Sequence, residues 1–118
     1  MRVQMEGQTL RLRVDETELA RLLSGGFAEN RTLLPDGRTE IQRVRVADAL
    51  AWRREEAIWN IDIPESDVRT LSDRLPSRDG LRFDFHASAT HSLEVLFDVD
   101  VRDSTRRRLH KSTEGDAS

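Results

Sequence analysis

The chain has 118 residues, of which 36% are hydrophobic and 35% charged, and its formal net charge is −3. This length predicts one domain with one hydrophobic core, and the absence of cysteine excludes disulfides, thiolate metal sites and cysteine nucleophiles. A pI of about 5.6 argues against binding to duplex nucleic acid, because domains that bind it through phosphates often have a pI above about 9.

The sequence also carries information about source and compartment. Arginine outnumbers lysine eighteen to one, which is typical of a GC-rich bacterial coding sequence. The first residues lack the apolar run of a signal peptide, and no window approaches the length of a membrane span. These features predict a soluble cytoplasmic protein without a membrane partner.

The first fourteen residues have the pattern of a β-hairpin. Apolar and polar residues alternate over Val3–Met5 and again over Leu10–Val14, as they do in half-buried strands. Gly7-Gln8 lies between the two runs and suits a type II′ turn, which takes glycine at its first central position. The segment is therefore predicted to be two antiparallel strands.

A helix is predicted directly after this hairpin. Asp15 can cap its first turn, and Glu18 stands three residues later, where the second residue of a capping box belongs. Leu19 and Leu22 follow at helical spacing. Gly25-Gly26 ends the helix at about Ser24, because glycine readily adopts the left-handed conformation.

The second half repeats this arrangement of a strand followed by a helix. Val14–Leu22 aligns with Ile63–Leu71 at an offset of 49 residues, and the second helix stops by Leu75, before a proline. Two interpretations remain open: an internal duplication with units Arg2–Leu34 and Glu40–Val101, or two unrelated junctions that use the same capping residues.

The middle of the chain gives weaker signals. Phe27–Leu34 is predicted as a short strand, although its central residues are polar, and Pro35–Arg38 is a turn. A strand begins near Ile41 and is expected to run toward Trp52. Arg53–Glu56 then turns into the strand that starts at Ala57.

Two strands close the folded region, and their register decides whether the histidines can share a metal ion. If Phe85 faces Leu93, then His86 lies opposite Ser92 and His91 opposite Ala87. Because the side-chain period of a strand is two, the two imidazoles then point to opposite faces of the sheet. The sequence predicts no metal site and no cofactor.

Catalytic signatures are also missing. There is no nucleophile elbow, no glycine-rich phosphate loop, and no carboxylate surrounded by apolar residues that would raise its pKa. The sequence therefore does not favour an enzyme.

Charged residues that alternate with core residues should project from the polar side of the sheet. The arginines among them are the candidate binding residues, namely Arg11, Arg13, Arg43, Arg45 and Arg82. The expected carboxylates on that side are Asp62, Asp84, Glu94 and Asp98. One interpretation is a solvated ladder of ion pairs; the other is an arginine-bearing surface for an anionic partner.

The C-terminal segment Arg102–Ser118 is nearly free of apolar residues and is predicted to be a flexible charged tail. It contains the basic run Ser104–Lys111, with Arg108 at its centre. Such a run can bind polyanions, but a role in nucleic-acid binding is not favoured here.

The N-terminal string MRVQMEGQTLRLRVDETELARL resembles the start of a family of short bacterial proteins of unknown function. Members begin with a basic strand, a glycine turn, an LRLR-type strand and an acidic helix start. The string IDIPES is similar to their second junction between strand and helix. The resemblance implies a shared fold and no particular activity. The chain departs from the family in lacking its C-terminal cysteine segment.

Together these patterns predict one α+β domain over residues 1–101. It would contain a mainly antiparallel, twisted sheet of six or seven strands, with two short helices on one face, in two similar halves. The leading functional hypothesis is a non-enzymatic module that binds a protein partner or associates with itself as a homodimer through a sheet edge. The alternative is a domain that binds a small ligand or anion on its arginine-bearing face.

Overall fold

The computed structural model describes residues 1–101, so the predicted tail Arg102–Ser118 lies outside the described residues. The fold is α+β, as predicted, but its eight strands form two four-stranded sheets instead of one sheet of six or seven. The strands are β1 (Arg2–Glu6), β2 (Thr9–Asp15), β3 (Phe27–Leu33), β4 (Thr39–Ala47), β5 (Ala51–Glu55), β6 (Ile58–Pro64), β7 (Leu81–His86) and β8 (Ser92–Asp100). The helices are α1 (Glu16–Leu23) and α2 (Glu65–Asp73).

Both sheets are mixed. Sheet A has the strand order β1-β2-β8-β7 and sheet B the order β3-β4-β6-β5. The outer pairs are antiparallel hairpins, whereas the central pairs, β2 with β8 and β4 with β6, are parallel. Four of the six strand pairs in residues 1–101 are thus antiparallel, so the prediction of mainly antiparallel pairing is roughly right, but the sequence did not predict the parallel pair at the centre of each sheet.

The predicted local elements agree with the structure. Gly7 has φ +57 in the β1–β2 turn, and Gly25 has φ +96 beyond α1. Asp15 accepts a hydrogen bond from the backbone N–H of Glu18, and the Glu18 carboxylate accepts one from the backbone N–H of Asp15. The capping box that the sequence predicts is thus complete.

The region around Trp52 differs from the prediction. β4 ends at Ala47, and Trp52 belongs to the separate strand β5, which forms a hairpin with β6 through Glu56. The chain needs this break because β4 and β5 flank β6 on opposite sides, so one continuous strand could not supply both.

The chain contains two sets of elements in the same order, and both have the order strand, strand, helix, strand, strand. The second set begins at β5, so the matching segments run over β1–β4 and β5–β8. The predicted units divide the chain at Pro35–Arg38, within the β3–β4 hairpin. Elements β5, β6 and α2 each begin 49 residues after their counterparts in the first set.

A single hydrophobic core joins both sheets and both helices. α1 contacts β2 and β8 of sheet A and β3 and β4 of sheet B, and α2 also contacts both sheets. The helices therefore lie against two sheets, whereas the sequence predicted one face of one sheet. The most deeply buried side chains include Leu12, Leu22, Val44, Ile61 and Phe97.

Candidate functional site

Three of the five candidate arginines lie on the outer face of sheet A. Arg11 and Arg13 of β2 both approach Asp98 of β8, with N···O distances of 3.3 and 4.0 Å. Arg82 of β7 is 3.5 Å from Glu94. Each arginine is thus placed beside a carboxylate of a neighbouring strand, as in the ion-pair ladder.

The other two arginines lie on the outer face of sheet B. Arg43 donates to Glu29 at 3.0 Å, and its guanidinium stands 4.4 Å from the centre of the Phe27 ring. Arg45 donates to Asp62 at 2.8 Å. That hydrogen bond and the charge of Asp62 raise the pKa of the Arg45 guanidinium above its ordinary value.

Asp62 was expected to project into solvent with the other carboxylates, but it is only 7% exposed. It lies on the outer face of β6, where Arg45 covers it from one side and Arg53 approaches from the other at 3.6 Å. The two guanidinium groups remove its carboxylate from water and replace its hydration with charge-assisted contacts.

The candidate arginines therefore do not form one binding face. They divide between two sheets, and each is within 4.0 Å of a carboxylate oxygen. A cavity of about 470 Å³ beside Arg11 and Arg13 is lined by charges of both signs, which include Arg78, Asp79 and Asp98. Its lining does not select an anion over a cation.

The histidines lie in the register that the sequence predicts. Phe85 pairs with Leu93, and His86 pairs with Ser92. His91 continues into the turn, where its carbonyl accepts a hydrogen bond from the backbone N–H of Ala87 at 3.0 Å. Among residues 1–101, no group of three side chains is arranged to hold a metal ion. No helix in the same range is long and apolar enough to cross a membrane.

A different surface stands out at one of the two edges of sheet B. The edge strand β3 pairs with β4 and, within the described part of the chain, with no other strand. Leu33 is 72% exposed and Phe27 44% exposed, and Leu34 follows directly after the strand at 37%. Three of the four large apolar residues that are exposed in this part of the chain thus lie on or beside one strand.

The hydrogen-bonding groups of β3 divide between its two sides. Leu34, opposite Arg38, donates its N–H to the Arg38 carbonyl at 2.8 Å. Because residues of an antiparallel pair alternate between hydrogen-bonded and non-hydrogen-bonded positions, the even-numbered residues of β3 face β4. The odd-numbered residues, from Phe27 to Leu33, therefore direct their N–H and C=O groups toward the open edge.

The same odd-numbered residues form the outer face of the strand. Ala28 points inward and is buried, whereas Phe27, Glu29, Arg31 and Leu33 alternate with it on the other side. The strand edge thus combines backbone groups that no strand of residues 1–101 pairs with, an apolar residue at each end, and two opposite charges between them.

Sequence reasoning missed this surface. The polar residues Glu29, Asn30 and Arg31 weaken the prediction of a strand, although the period of two in Phe27, Glu29, Arg31 and Leu33 was present. Only the strand order identifies β3 as an edge strand, because β3 and β6 lie on opposite sides of β4.

No protein-family model matches this chain, and no curated protein matches it.

Proposed function

We propose that this protein is a self-associating module in which β3 pairs with β3 of a second copy of the chain. The main support is that Leu33 and Phe27 are exposed on an edge strand. The outer hydrogen-bonding groups of this strand have no strand partner among residues 1–101. Unpaired edge strands offer a ready template for another strand, and apolar contacts add to the main-chain hydrogen bonds.

The chemistry of β3 supports a strand partner over a small ligand. The strand contains no proline and no lysine, which are common devices against edge pairing. Its large apolar side chains, Phe27 and Leu33, are 44% and 72% exposed on the edge strand. A partner that extends the sheet covers both the backbone groups and the apolar side chains at once.

Self-association is tested by measuring molar mass with light scattering coupled to size exclusion, over a range of concentrations of the full chain. The expected result for the native sequence is a dimer that dissociates on dilution. Leu33→Glu should shift the protein to monomer, because it removes an apolar contact from the interface and puts a carboxylate in its place. The side chain is 72% exposed, so the fold should be unaffected.

Met5→Glu is the matched control. Met5 is 65% exposed and lies on β1, one of the two edge strands of sheet A. This variant should keep the mass of the native dimer. A native chain that is monomeric at every concentration would overturn self-association, and loss of the dimer in Met5→Glu alone would move the contact to β1.

A further inference from the structure

The geometry points to a single register for this contact: two β3 strands run antiparallel about a two-fold axis that passes beside Asn30. This inference rests on the proposed self-association and specifies how the two surfaces meet. The resulting assembly is one continuous sheet of two copies of sheet B, joined edge to edge. A two-fold contact uses the same patch on both chains, so the strand must be complementary to itself.

Backbone direction limits the possible registers. The edge-facing groups belong to the odd-numbered residues, and an antiparallel pair forms only when edge-facing residues oppose each other. The two-fold axis must therefore lie level with one residue of the strand and cannot lie midway between two consecutive residues. Axes near the strand ends pair few residues, which leaves Glu29, Asn30 and Arg31 as centres.

Charge selects among the three centres. An axis at Glu29 would place this carboxylate against its own copy, and an axis at Arg31 would do the same with two guanidinium groups. Like charges directly opposite destabilise a pair of strands. An axis at Asn30 instead places Glu29 opposite Arg31 of the second copy, twice over.

The apolar ends fit the same register. With Asn30 on the axis, Phe27 lies opposite Leu33 of the second copy at both ends of the contact. All four odd-numbered residues of each strand then have a partner, and each opposing pair exchanges two main-chain hydrogen bonds. When two FAENRTL strands pair antiparallel in this register, apolar residues thus lie opposite apolar residues and acidic residues opposite basic ones.

The charges within each chain are compatible with this arrangement. Glu29 uses Oε2 to accept from Arg43, whereas its Oε1 is 3.4 Å from Arg31 of the same chain. The Arg31 side chain is 61% exposed, and an exposed ion pair of this kind is easily exchanged. Arg31 can therefore turn to Glu29 of the second copy while Arg43 keeps its contact.

Of the three other edge strands in residues 1–101, β1, β5 and β7, β1 is the competitor, because it alone carries a large exposed apolar residue, Met5. Around Gln4 it pairs Arg2 with Glu6 and Val3 with Met5 of a second copy, so it is also self-complementary. However, β1 has five residues, against seven in β3. By the same alternation, only Val3 and Met5 direct their backbone groups outward, because Glu6 closes the hairpin opposite Thr9. β3 offers twice as many edge-facing residues and more exposed apolar surface.

Charge complementation tests the register. Arg31→Glu places a carboxylate opposite Glu29 of the second copy at both symmetry-related positions and should raise the dimer dissociation constant about tenfold or more. Its partner variant combines Glu29→Arg with Arg43→Glu. The ion pair between positions 29 and 43 is then kept with reversed charges, whereas the new arginine at position 29 repels Arg31 of a second copy of the same variant. Each variant alone should be largely monomeric. An equimolar mixture should form a heterodimer, detected by native mass spectrometry, because every Glu29–Arg31 position is again oppositely charged.

The control variants are Arg2→Glu and Glu6→Arg on β1, which should leave the dimer unchanged. Circular dichroism melts of every variant separate loss of contact from loss of fold. If the native chain dimerises but Arg31→Glu remains as tight a dimer, the register is overturned while self-association stands. A dimer that is lost only in the β1 variants assigns the axis to Gln4, and a monomeric native chain overturns both proposals.

Discussion

Two turns at equivalent places in the chain use different residues at the same backbone conformation. Gly7 has φ +57 in the β1–β2 hairpin, and Glu56 has φ +53 in the β5–β6 hairpin, 49 positions later. The left-handed conformation costs a residue with a side chain about 1–2 kcal/mol, which glycine avoids. Glu56 therefore stores strain that its counterpart does not.

Glu56→Gly is expected to raise the free energy of unfolding by about 0.5–1 kcal/mol, since the relief of strain exceeds the added entropy of the unfolded chain. Urea denaturation of the two proteins measures the change. The reciprocal substitution Gly7→Glu should lower the free energy of unfolding by a similar amount. Equal or lower stability of Glu56→Gly would contradict a strain larger than the entropic cost of glycine.

The two helices begin at equivalent positions but are capped unequally. Asp15 caps α1 through a 2.7 Å hydrogen bond from the backbone N–H of Glu18, whereas Pro64 precedes α2 without a side-chain hydrogen bond. Both helices carry two acidic residues in the first turn, Glu65 and Asp67 in α2, and these charges suit the helix dipole. The capping box is thus a feature of the first half alone.

Asp15→Ala is expected to lower the free energy of unfolding by about 1 kcal/mol, because it removes the acceptor for the backbone N–H of Glu18. Thermal denaturation followed by circular dichroism gives the size of the loss. Glu16→Ala is the control, since Glu16 is an acidic residue of the same turn without a capping bond, and it should cost only about 0.3 kcal/mol. Equal losses in both variants would assign the effect to charge and not to the cap.

Elements were predictable wherever neighbouring residues determine them. Glycine turns, the Asp15 cap and the alternation over Leu81–His86 are local signals, and even the pairing of Phe85 with Leu93 follows from the apolar pattern. Strand order was not predictable in this way. The parallel pairs join Leu12 to Phe97 and Ile61 to Val44, and an alternating pattern does not identify the partner strand.

The candidate site shows the same division. Arg43 and Arg45 were correctly expected on a polar sheet face, but the sequence could not separate them from Arg11, Arg13 and Arg82, which belong to the other sheet. The edge at β3 depends on which strand lies outside which, so it became visible only with the topology.

At the scale of the whole molecule, each sheet contains one hairpin from each half. Sheet A joins β1–β2 to β7–β8, and sheet B joins β3–β4 to β5–β6. Among residues 1–101, neither half alone contains a sheet of more than two strands, and isolated hairpins are marginally stable in water. The hydrophobic core takes its buried side chains from both halves.

Charges at the central parallel strand pairs favour association of the first half with the second half over association of either half with its own copy. The first half supplies Arg13 and Arg45, and the second half supplies Asp98 and Asp62, each opposite its partner in the register. If two copies of the first half assembled in the same way, Arg13 would meet Arg45. Two copies of the second half would bring Asp62 against Asp98.

Fragments 1–49 and 50–118 are therefore expected to be largely unfolded when separate and to restore the native circular dichroism spectrum when mixed. The break falls in the short connection between β4 and β5, outside both strands. Titration of one fragment with the other should saturate at equimolar ratio. A fragment that folds cooperatively by itself would contradict the interdependence of the halves.

The contact at β3 is tested most directly by a cysteine at the proposed axis. The chain has no cysteine, so Asn30→Cys introduces a single thiol. In the proposed register Asn30 opposes its own copy at a non-hydrogen-bonded position, where Cα atoms are about 4.5 Å apart, within the range that a disulfide requires. Gln4→Cys places the same probe at the centre of the competing edge strand β1.

Mild oxidation followed by non-reducing electrophoresis measures the covalent dimer in each variant. We expect Asn30→Cys to convert to a disulfide-linked dimer under conditions in which Gln4→Cys remains monomeric. Free thiols in oxidised Asn30→Cys, or a covalent dimer formed only by Gln4→Cys, would contradict the pairing of β3 with its own copy.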